Sequence, residues 1–582
     1  MKISKKYVCL LLSLIVLGVY YPLIFSPFNS VDDLALSKYL LNLGHFDLAK
    51  HFFPGGEHNY YRPVLMLSYV ADQCLWGGDP SFMHLENVLL HLSNVLLVFF
   101  ISLQLCRILS IQNVTLPFFS SVIFAIHPIN VESVAWVVGR TDLLAGFFVL
   151  LALLFLLFAL RFGSFQYGLY GAFFLLVGCL SKETALFFIP GVFLLLFLPK
   201  SSSLWFSRTD LTFRLSLLGC YGFSAVVYFI MRFIAVNSDR GVRYVLSFAE
   251  QNSAQSVSDV ISTLVSVSTL FLKTSGFYLT KLVMPFPLNF GIVEVGNGYV
   301  LPGFILMILV VFLFMKRNVL TTFFLMSAFL GSSALLAVFT GGMWTPFAER
   351  YMYIPCATFV IGVTFLLWKI VATKKLVQKF LILLFPVFMV TTAYATVSRC
   401  LTWQDNEALF RDTVAKSPSF VAAKNELANA LREKGKTAEA LEIIRNLDGT
   451  GMQAASLNKA LFRFSDGDVD GARKMLLSHV EASDSLESRS LEVLVKLTME
   501  MVASSPSVIE KTRLRREVIS WLGRLHELSG NPFYYYRLGN MYLQLNESAT
   551  AQQFFAKAAE EFPDNSIYKK PSQKLAERLK SP

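Results

Sequence analysis

The chain changes solvent partway along its length. From Tyr7 to about Val397, apolar runs long enough to cross a bilayer alternate with short polar loops; from Trp403 onward the sequence is charged and reads as soluble helix. A bilayer core about 30 Å thick takes about 20 apolar residues per helical crossing, and every backbone polar group there has to be satisfied within its own segment. That constraint makes the first part all-α. A hydrophobic share of 54% against 16% charged, with a mean hydropathy of +0.54, excludes an ordinary soluble domain.

About eleven candidate spans follow: residues 7–25, 84–106, 116–132, 142–160, 167–180, 184–198, 212–235, 299–315, 319–340, 351–368 and 378–397. A further apolar stretch, about 259–284, is interrupted by Lys273 and Lys281. The loop cations decide how to treat it. Eleven crossings place Lys2, Lys5 and Lys6, Arg107, Arg161, Lys200 and Arg208, Lys316 and Arg317, and Lys369, Lys374, Lys375 and Lys379 on one side, the cytoplasmic one. A crossing by 259–284 would put the last two clusters outside, so that stretch is expected to be interfacial or re-entrant on the outer face. The first six residues and the apolar run after them resemble a signal peptide. No small-residue cleavage site follows, which makes 7–25 a retained first span. The +11 formal charge thus reports topology and not nucleic-acid binding. Seven scattered cysteines without CxxC or Cys/His spacing argue against a disulfide framework or a zinc site.

The expected organisation is a membrane domain over 1–400 and a helical repeat domain over 401–582. In Tyr535-x2-Leu538-Gly539-x2-Tyr542, Ala551-x3-Phe555-x2-Ala558 and Pro563, every anchor of the tetratricopeptide pattern is filled. Gly539 and Ala551 let two helices approach, and Tyr542 and Phe555 fill the gap between them. A second copy runs Leu427-Ala428-x2-Leu431 to Ala440-x3-Ile444 after Pro418, and 455–480 fits more loosely through Ala460 and Ala472. Such hairpin solenoids make concave peptide-binding surfaces; a purely structural cap on the membrane part is the alternative.

The topology gathers the loops 26–82, 127–142, 181–184 and 341–350, and the repeats, on the outer face. An ionisable side chain at membrane depth costs about 2.5–3.5 kcal/mol on insertion scales, so such residues usually have a role; interfacial snorkelling is the plainer explanation. Asp32-Asp33 follows the first span. Paired carboxylates there suit a metal site or a general base, but taken alone they fit better as a cap for a helix over 34–43. Glu57-His58-Asn59-Tyr60-Tyr61-Arg62-Pro63 comes next, and then His84, Asn87 and His91 on one helical face. Those three fit a packing network better than a two-histidine metal site. His127, Glu132, Arg140 and Asp142 crowd one short loop, Lys182-Glu183 breaks an apolar run, and Glu349-Arg350 opens a span. Lys182 and Arg350 are cations at one level, placed to hold a lipid-linked phosphate or to neutralise neighbouring glutamates.

Taken together, these motifs resemble a known family. Tyr61-Arg62-Pro63, Leu67-Ser68-Tyr69, Gly77-Gly78-x-Pro80 and His84-Leu85-x-Asn87-Val88-Leu89-Leu90-His91 look like the transmembrane-and-tetratricopeptide-repeat O-mannosyltransferases. So do Asp32-Asp33, His127-Pro128-x2-Val131-Glu132, Gly139-Arg140-x-Asp142, Lys182-Glu183 and Glu349-Arg350-Tyr351-x-Tyr353-x-Pro355, in the same order and before C-terminal repeats. The repeat array is shorter here, and 259–298 matches mainly at Pro285-x-Pro287-Leu288-x-Phe290.

The resemblance implies a glycosyltransferase of GT-C architecture with its site on the non-cytoplasmic face, using a polyprenyl-phosphate-linked sugar. In that family an acidic residue of the first outer loop is the catalytic carboxylate, which falls on Asp32 or Asp33, alone or with a divalent metal (magnesium or manganese). Donor phosphate and substrate would meet Arg62, His84, His127, Glu132, Arg140, Asp142, Lys182, Glu183, Glu349 and Arg350. The acceptor would be a hydroxyl, on a polypeptide recruited by the repeats; a glycan or lipid acceptor, or a non-enzymatic membrane scaffold, is the alternative. Compact size and short loops suggest a bacterial inner membrane with a cytoplasmic N-terminus and periplasmic repeats.

Overall fold

The computed structural model describes all residues except 1–3, 42–47, 54–59, 200–208, 236–256, 341–343, 374, 448–452, 485, 563–567 and 581–582. Lys2, Glu57, His58, Asn59, Lys200, Arg208, Lys374 and Pro563, named above, lie outside the described residues. No strand occurs among the described residues beyond one isolated bridge between Ile292 and Phe347. The described residues divide into two units, those up to 420 and those from 421 onward. Residue 400 therefore lies inside the long helix Lys375–Trp403, and the helix Asn406–Lys416 belongs to the first unit.

The first unit is a multi-span membrane body. Among the described residues eight helices are long and apolar enough to cross a bilayer, fewer than the eleven crossings expected. The difference has three sources. Residues 116–132 form a pair of helices, Thr115–Ala125 and Pro128–Ala135, bent by 50° at a short break. Phe165–Ser181 and Glu183–Phe197 are apolar but shorter than a full crossing. Pro128 and Lys182-Glu183 sit at those breaks, where a missing N–H and buried charge interrupt the helical ladder. The stretch expected to be interfacial or re-entrant is one unbroken helix, Val257–Val283. It packs on Val300–Lys316 through Gly276 and Gly303: a Cβ on Gly276 would come within 2.0 Å of the Tyr299 carbonyl oxygen.

Helices Pro80–Ile108 and Arg140–Phe162 form the centre of this body, with about two-thirds or more of their apolar windows buried (67% and 72%), whereas Asn297–Lys316 keeps only 6% buried and faces outward. The start of Pro80–Ile108 is fixed by local chemistry: Pro80 has no N–H to satisfy, and Asp79 accepts from the Ser81 N–H at 2.8 Å.

The second unit is a run of helix pairs. Val421–Glu433 pairs with Thr437–Arg445, Gln453–Ser465 with Val469–Glu481, and Phe533–Gln544 with Ser548–Glu561. Gly435 and Gly467 take left-handed conformations at two of the turns (φ of 77° and 88°), where a side chain would be strained. Anchors read from the sequence fall inside the interfaces: Leu427, Ala428, Leu431, Ala440, Ile444, Leu538, Ala551, Phe555 and Ala558 are buried. A further pair, Glu487–Ser504 with Val508–Ser529, has no small-residue anchors of the motif and is built instead around Leu491, Leu494, Val518, Trp521 and Leu522.

Candidate functional site

The first unit collects its buried charges at one end of the bundle, around Tyr351. The Lys182 ammonium lies 5.5 Å from the centre of the Tyr351 ring and the Arg350 guanidinium 5.0 Å from it, so one ring joins two cations far apart in sequence. Arg350 also stacks on Trp136 at 4.9 Å. Each cation has a carboxylate. Lys182 donates to Asp142 Oδ1 at 2.6 Å, Arg350 pairs with Glu132, and Arg62 grips Glu183 through Nε and a terminal nitrogen at 3.0 and 2.6 Å.

The short turn Glu349–Met352 carries this arrangement, and Glu132 holds its start. Glu132 Oε2 accepts the N–H groups of Glu349 at 2.9 Å and Arg350 at 3.1 Å, while its other oxygen takes the Arg350 side chain. Glu349 in turn accepts from Lys281 Nζ at 2.8 Å and from the Asn289 N–H at 3.0 Å. Lys281 was read from sequence only as an interruption of an apolar stretch. Its spacing carried no signal, because its partner lies 68 residues further on.

Arg140 belongs to a neighbouring knot and is wholly buried. It donates to Asp72 at 2.6 Å, to Asn87 at 2.9 Å and to the Met83 carbonyl at 3.0 Å, with Glu86 at 3.3 Å. Its donors are engaged by protein, so it ties helices together in place of facing a ligand. His127 is similarly committed, its Nδ1 accepting from the Ile129 N–H and its Nε2 donating to the Leu282 carbonyl. His84 is buried, and its ring is close enough to the Pro27 backbone to interact with it. The face shared by His84, Asn87 and His91 is a packing network: Asn87 reaches the Trp136 carbonyl at 2.9 Å, and His91 bonds Tyr353 at 2.8 Å.

The two aspartates separate sharply. Asp33 is buried and accepts the Asn29 N–H at 3.0 Å and the Val138 N–H at 3.1 Å, one on each oxygen. It pins two loops together and does not cap a helix over 34–43. Burial pushes its carboxyl up to about 7, against the pull of those N–H groups and helped by the Asp32 charge. Asp32 is exposed, with no hydrogen bond to its carboxylate among the described residues. The protein around it raises its carboxyl above the ordinary value by desolvation, and the Arg350 charge opposes this. Asp32 is thus the accessible carboxylate of the pair, within the field of the Tyr351 cluster.

A small cavity opens beside this cluster, lined by Asp142, Lys182, Thr184 and Tyr351 on its polar side and by Leu330, Ile354 and Pro355 on the other. The Tyr351 hydroxyl and Asp142 Oδ2 are buried there without hydrogen-bond partners among the described residues. Met352 of the same turn also lines an apolar groove, with Leu279, Leu306, Val310, Phe324 and Phe359. For a divalent ion the fit is poor: Asp33 has both oxygens on backbone N–H groups, and among the described residues no three His, Cys, Asp or Glu side chains are grouped to hold one.

No family model matches the chain. It is similar to protein O-mannosyl-transferase TMTC1 of Mus musculus, 38% identical over 98 residues, which is 17% of this chain and 10% of the relative. It is similar to protein O-mannosyl-transferase tmtc2 of Xenopus laevis, 40% identical over 99 residues (17% and 11%), and to protein O-mannosyl-transferase TMTC4 of Homo sapiens, 34% identical over 134 residues (21% and 18%). The resemblance read from the motifs is therefore found again in proteins of that name. The match spans between 10% and 18% of these relatives' own length.

Proposed function

We propose that this protein is a membrane glycosyltransferase that moves a sugar, mannose in the first instance, from a polyprenyl-phosphate carrier to a hydroxyl group of a protein. One observation carries the reading: an accessible carboxylate, Asp32, stands in the field of Arg350, which shares the Tyr351 ring with Lys182 at the edge of a cavity. The names of the relatives support the sugar and the protein acceptor.

The acceptor O–H gives its proton to Asp32 as its oxygen bonds to the anomeric carbon. The bond from that carbon to the phosphate oxygen breaks, and the electron pair leaves with the polyprenyl phosphate. Arg350, Lys182 and Arg62 stabilise that charge, which a low-dielectric, pre-arranged site does better than water. Their carboxylate partners keep the cations in place between turnovers. Direct displacement of this kind inverts the anomeric centre. The apolar groove beside Met352 suits the carrier's chain, since Met352 belongs to the turn that presents Arg350. Arg140, His84, His127, Glu132, Glu349 and Asp33 position this constellation, and Lys281 joins them through Glu349.

The reading places the cluster on the non-cytoplasmic face, with the N-terminus in the cytosol and the second unit, as a tetratricopeptide-type module, recruiting the acceptor. A bacterial inner membrane has no counterpart among the relatives named, which are animal proteins. The test is transfer by purified protein from a panel of polyprenyl-phosphate sugars to serine- and threonine-containing peptides, with and without magnesium or manganese. Mannosylated peptide is expected. A protein lacking 421–582 should still cleave donor but lose peptide selection; unchanged selection points to a glycan or lipid acceptor. Absence of donor binding across the whole panel would overturn the reading.

A further inference from the structure

The opposite end of the membrane unit carries a second charged opening. Lys5, Lys6, Arg107 and Arg161 line one open cavity together with Gln112 and Asn113. These four cations come from three helices, Lys5–Tyr20, Pro80–Ile108 and Arg140–Phe162. No aspartate or glutamate lines the cavity, and none of the four makes an ion pair among the described residues. Arg161 donates to Gln104 at 2.7 Å, which aims a guanidinium without neutralising it.

Their carboxylates are far away along the same helices. Glu86 precedes Arg107 by 21 residues and Asp142 precedes Arg161 by 19, at positions read from the sequence. At 1.5 Å per residue each separation is about 30 Å, the thickness of a bilayer core. The positive charge around this cavity therefore has no paired carboxylate among the described residues. Below the cations the cavity wall turns apolar through Val8, Leu11, Leu103 and Phe118. Cations at the rim and an apolar wall beneath match a phosphate headgroup with acyl chains below it.

We propose that this cavity binds the headgroup of an anionic phospholipid from the leaflet at the N-terminal end of the first helix. Topology alone calls for positive charge in the loops. It does not call for cations of three helices around one opening with an apolar wall, and a basic pocket between helices on the cytoplasmic side is a recurrent lipid-headgroup site. The inference does not rest on the transferase reading, because the cavity shares no residue with the Tyr351 cluster.

The test is native mass spectrometry of the full chain released from nanodiscs of equal phosphatidylglycerol and phosphatidylcholine. Wild type should retain phosphatidylglycerol, and R107Q/R161Q should retain at least tenfold less. K316Q/R317Q, which removes cations outside the cavity, should retain it as wild type does. If R107Q/R161Q does not insert, K5Q/K6Q, altered only at the exposed end of the first helix, decides with the same expected loss. Equal retention by an inserted cavity variant overturns the proposal. So does displacement of the lipid by millimolar inorganic phosphate, which would assign the cavity to a soluble anion, and so does an equal preference for phosphatidylcholine.

Discussion

Ion pairs are built differently in the two units, and the contrast shows what charge is for in each. Arg140 and Asp72 meet at 2.6 Å with side chains 0% and 1% exposed; Arg516 and Glu547 meet at 2.9 Å with 63% and 34% exposed. The chemistry is the same and the distances nearly so. Breaking a buried pair strands a charge and costs about 3–5 kcal/mol, whereas an exposed pair is worth about 0–1 kcal/mol. In the membrane unit, charge fixes the geometry of helices whose apolar faces would pack in many ways. In the second unit, apolar packing fixes the geometry, and the pairs of Arg473, Arg516 and Arg524 each keep at least one partner partly exposed.

Arg140→Gln should have the largest effect, about 3–5 kcal/mol of stability, because it leaves Asp72 and Glu86 without a cation. Thermal unfolding in detergent measures it, and a loss below about 1 kcal/mol would erase the contrast. Lys281→Met should cost roughly 3 kcal/mol for the same reason, leaving Glu349 unpaired. Adding Glu349→Leu should recover a good part of that stability without recovering transfer, since the turn bearing Arg350 loses its anchor. Gly539→Ala sets the scale of the repeat unit. Its new Cβ would lie 2.8 Å from the buried Phe555 ring, and overpacking offset by the better helix propensity of alanine leaves a loss of about 1 kcal/mol. Arg516→Ala should shift the same melting curve by less than about 1 kcal/mol.

Apolar length was legible in the sequence, and so were the small residues that the helix pairs bury, Ala428, Ala440 and Ala551. All eleven expected spans correspond to helices, of which eight are full-length, one is a bent pair and two are short. The bend at Pro128 escaped because hydropathy averages over it, whereas the break at Lys182-Glu183 was visible as charge in an apolar run. The motif residues that the structure gathers, Arg62, Glu132, Asp142, Lys182, Glu183, Glu349 and Arg350, were found because charge in an apolar setting is conspicuous. Their pairing was not legible, since Arg350 meets Glu132 across 218 residues of chain. Nor was the division of labour between Asp32 and Asp33. Adjacent identical residues differ there only by which one points at the N–H groups of Asn29 and Val138. The hairpin over Glu487–Ser529 was missed because large side chains do the packing that small ones do elsewhere.

The pH profile of transfer by Asp32→Asn and Asp33→Asn, beside wild type, tests the central claim most directly. A base works only when deprotonated, and Asp32 titrates above its ordinary value of 3.8, so wild-type activity should fall as pH drops through that raised value. Asp32→Asn should lose transfer by on the order of 10²–10⁴-fold while still binding donor. Asp33→Asn should keep the same acid limb, with whatever rate its loosened loops allow. Wild-type turnover by Asp32→Asn, or an acid limb that vanishes only in Asp33→Asn, would contradict the assignment.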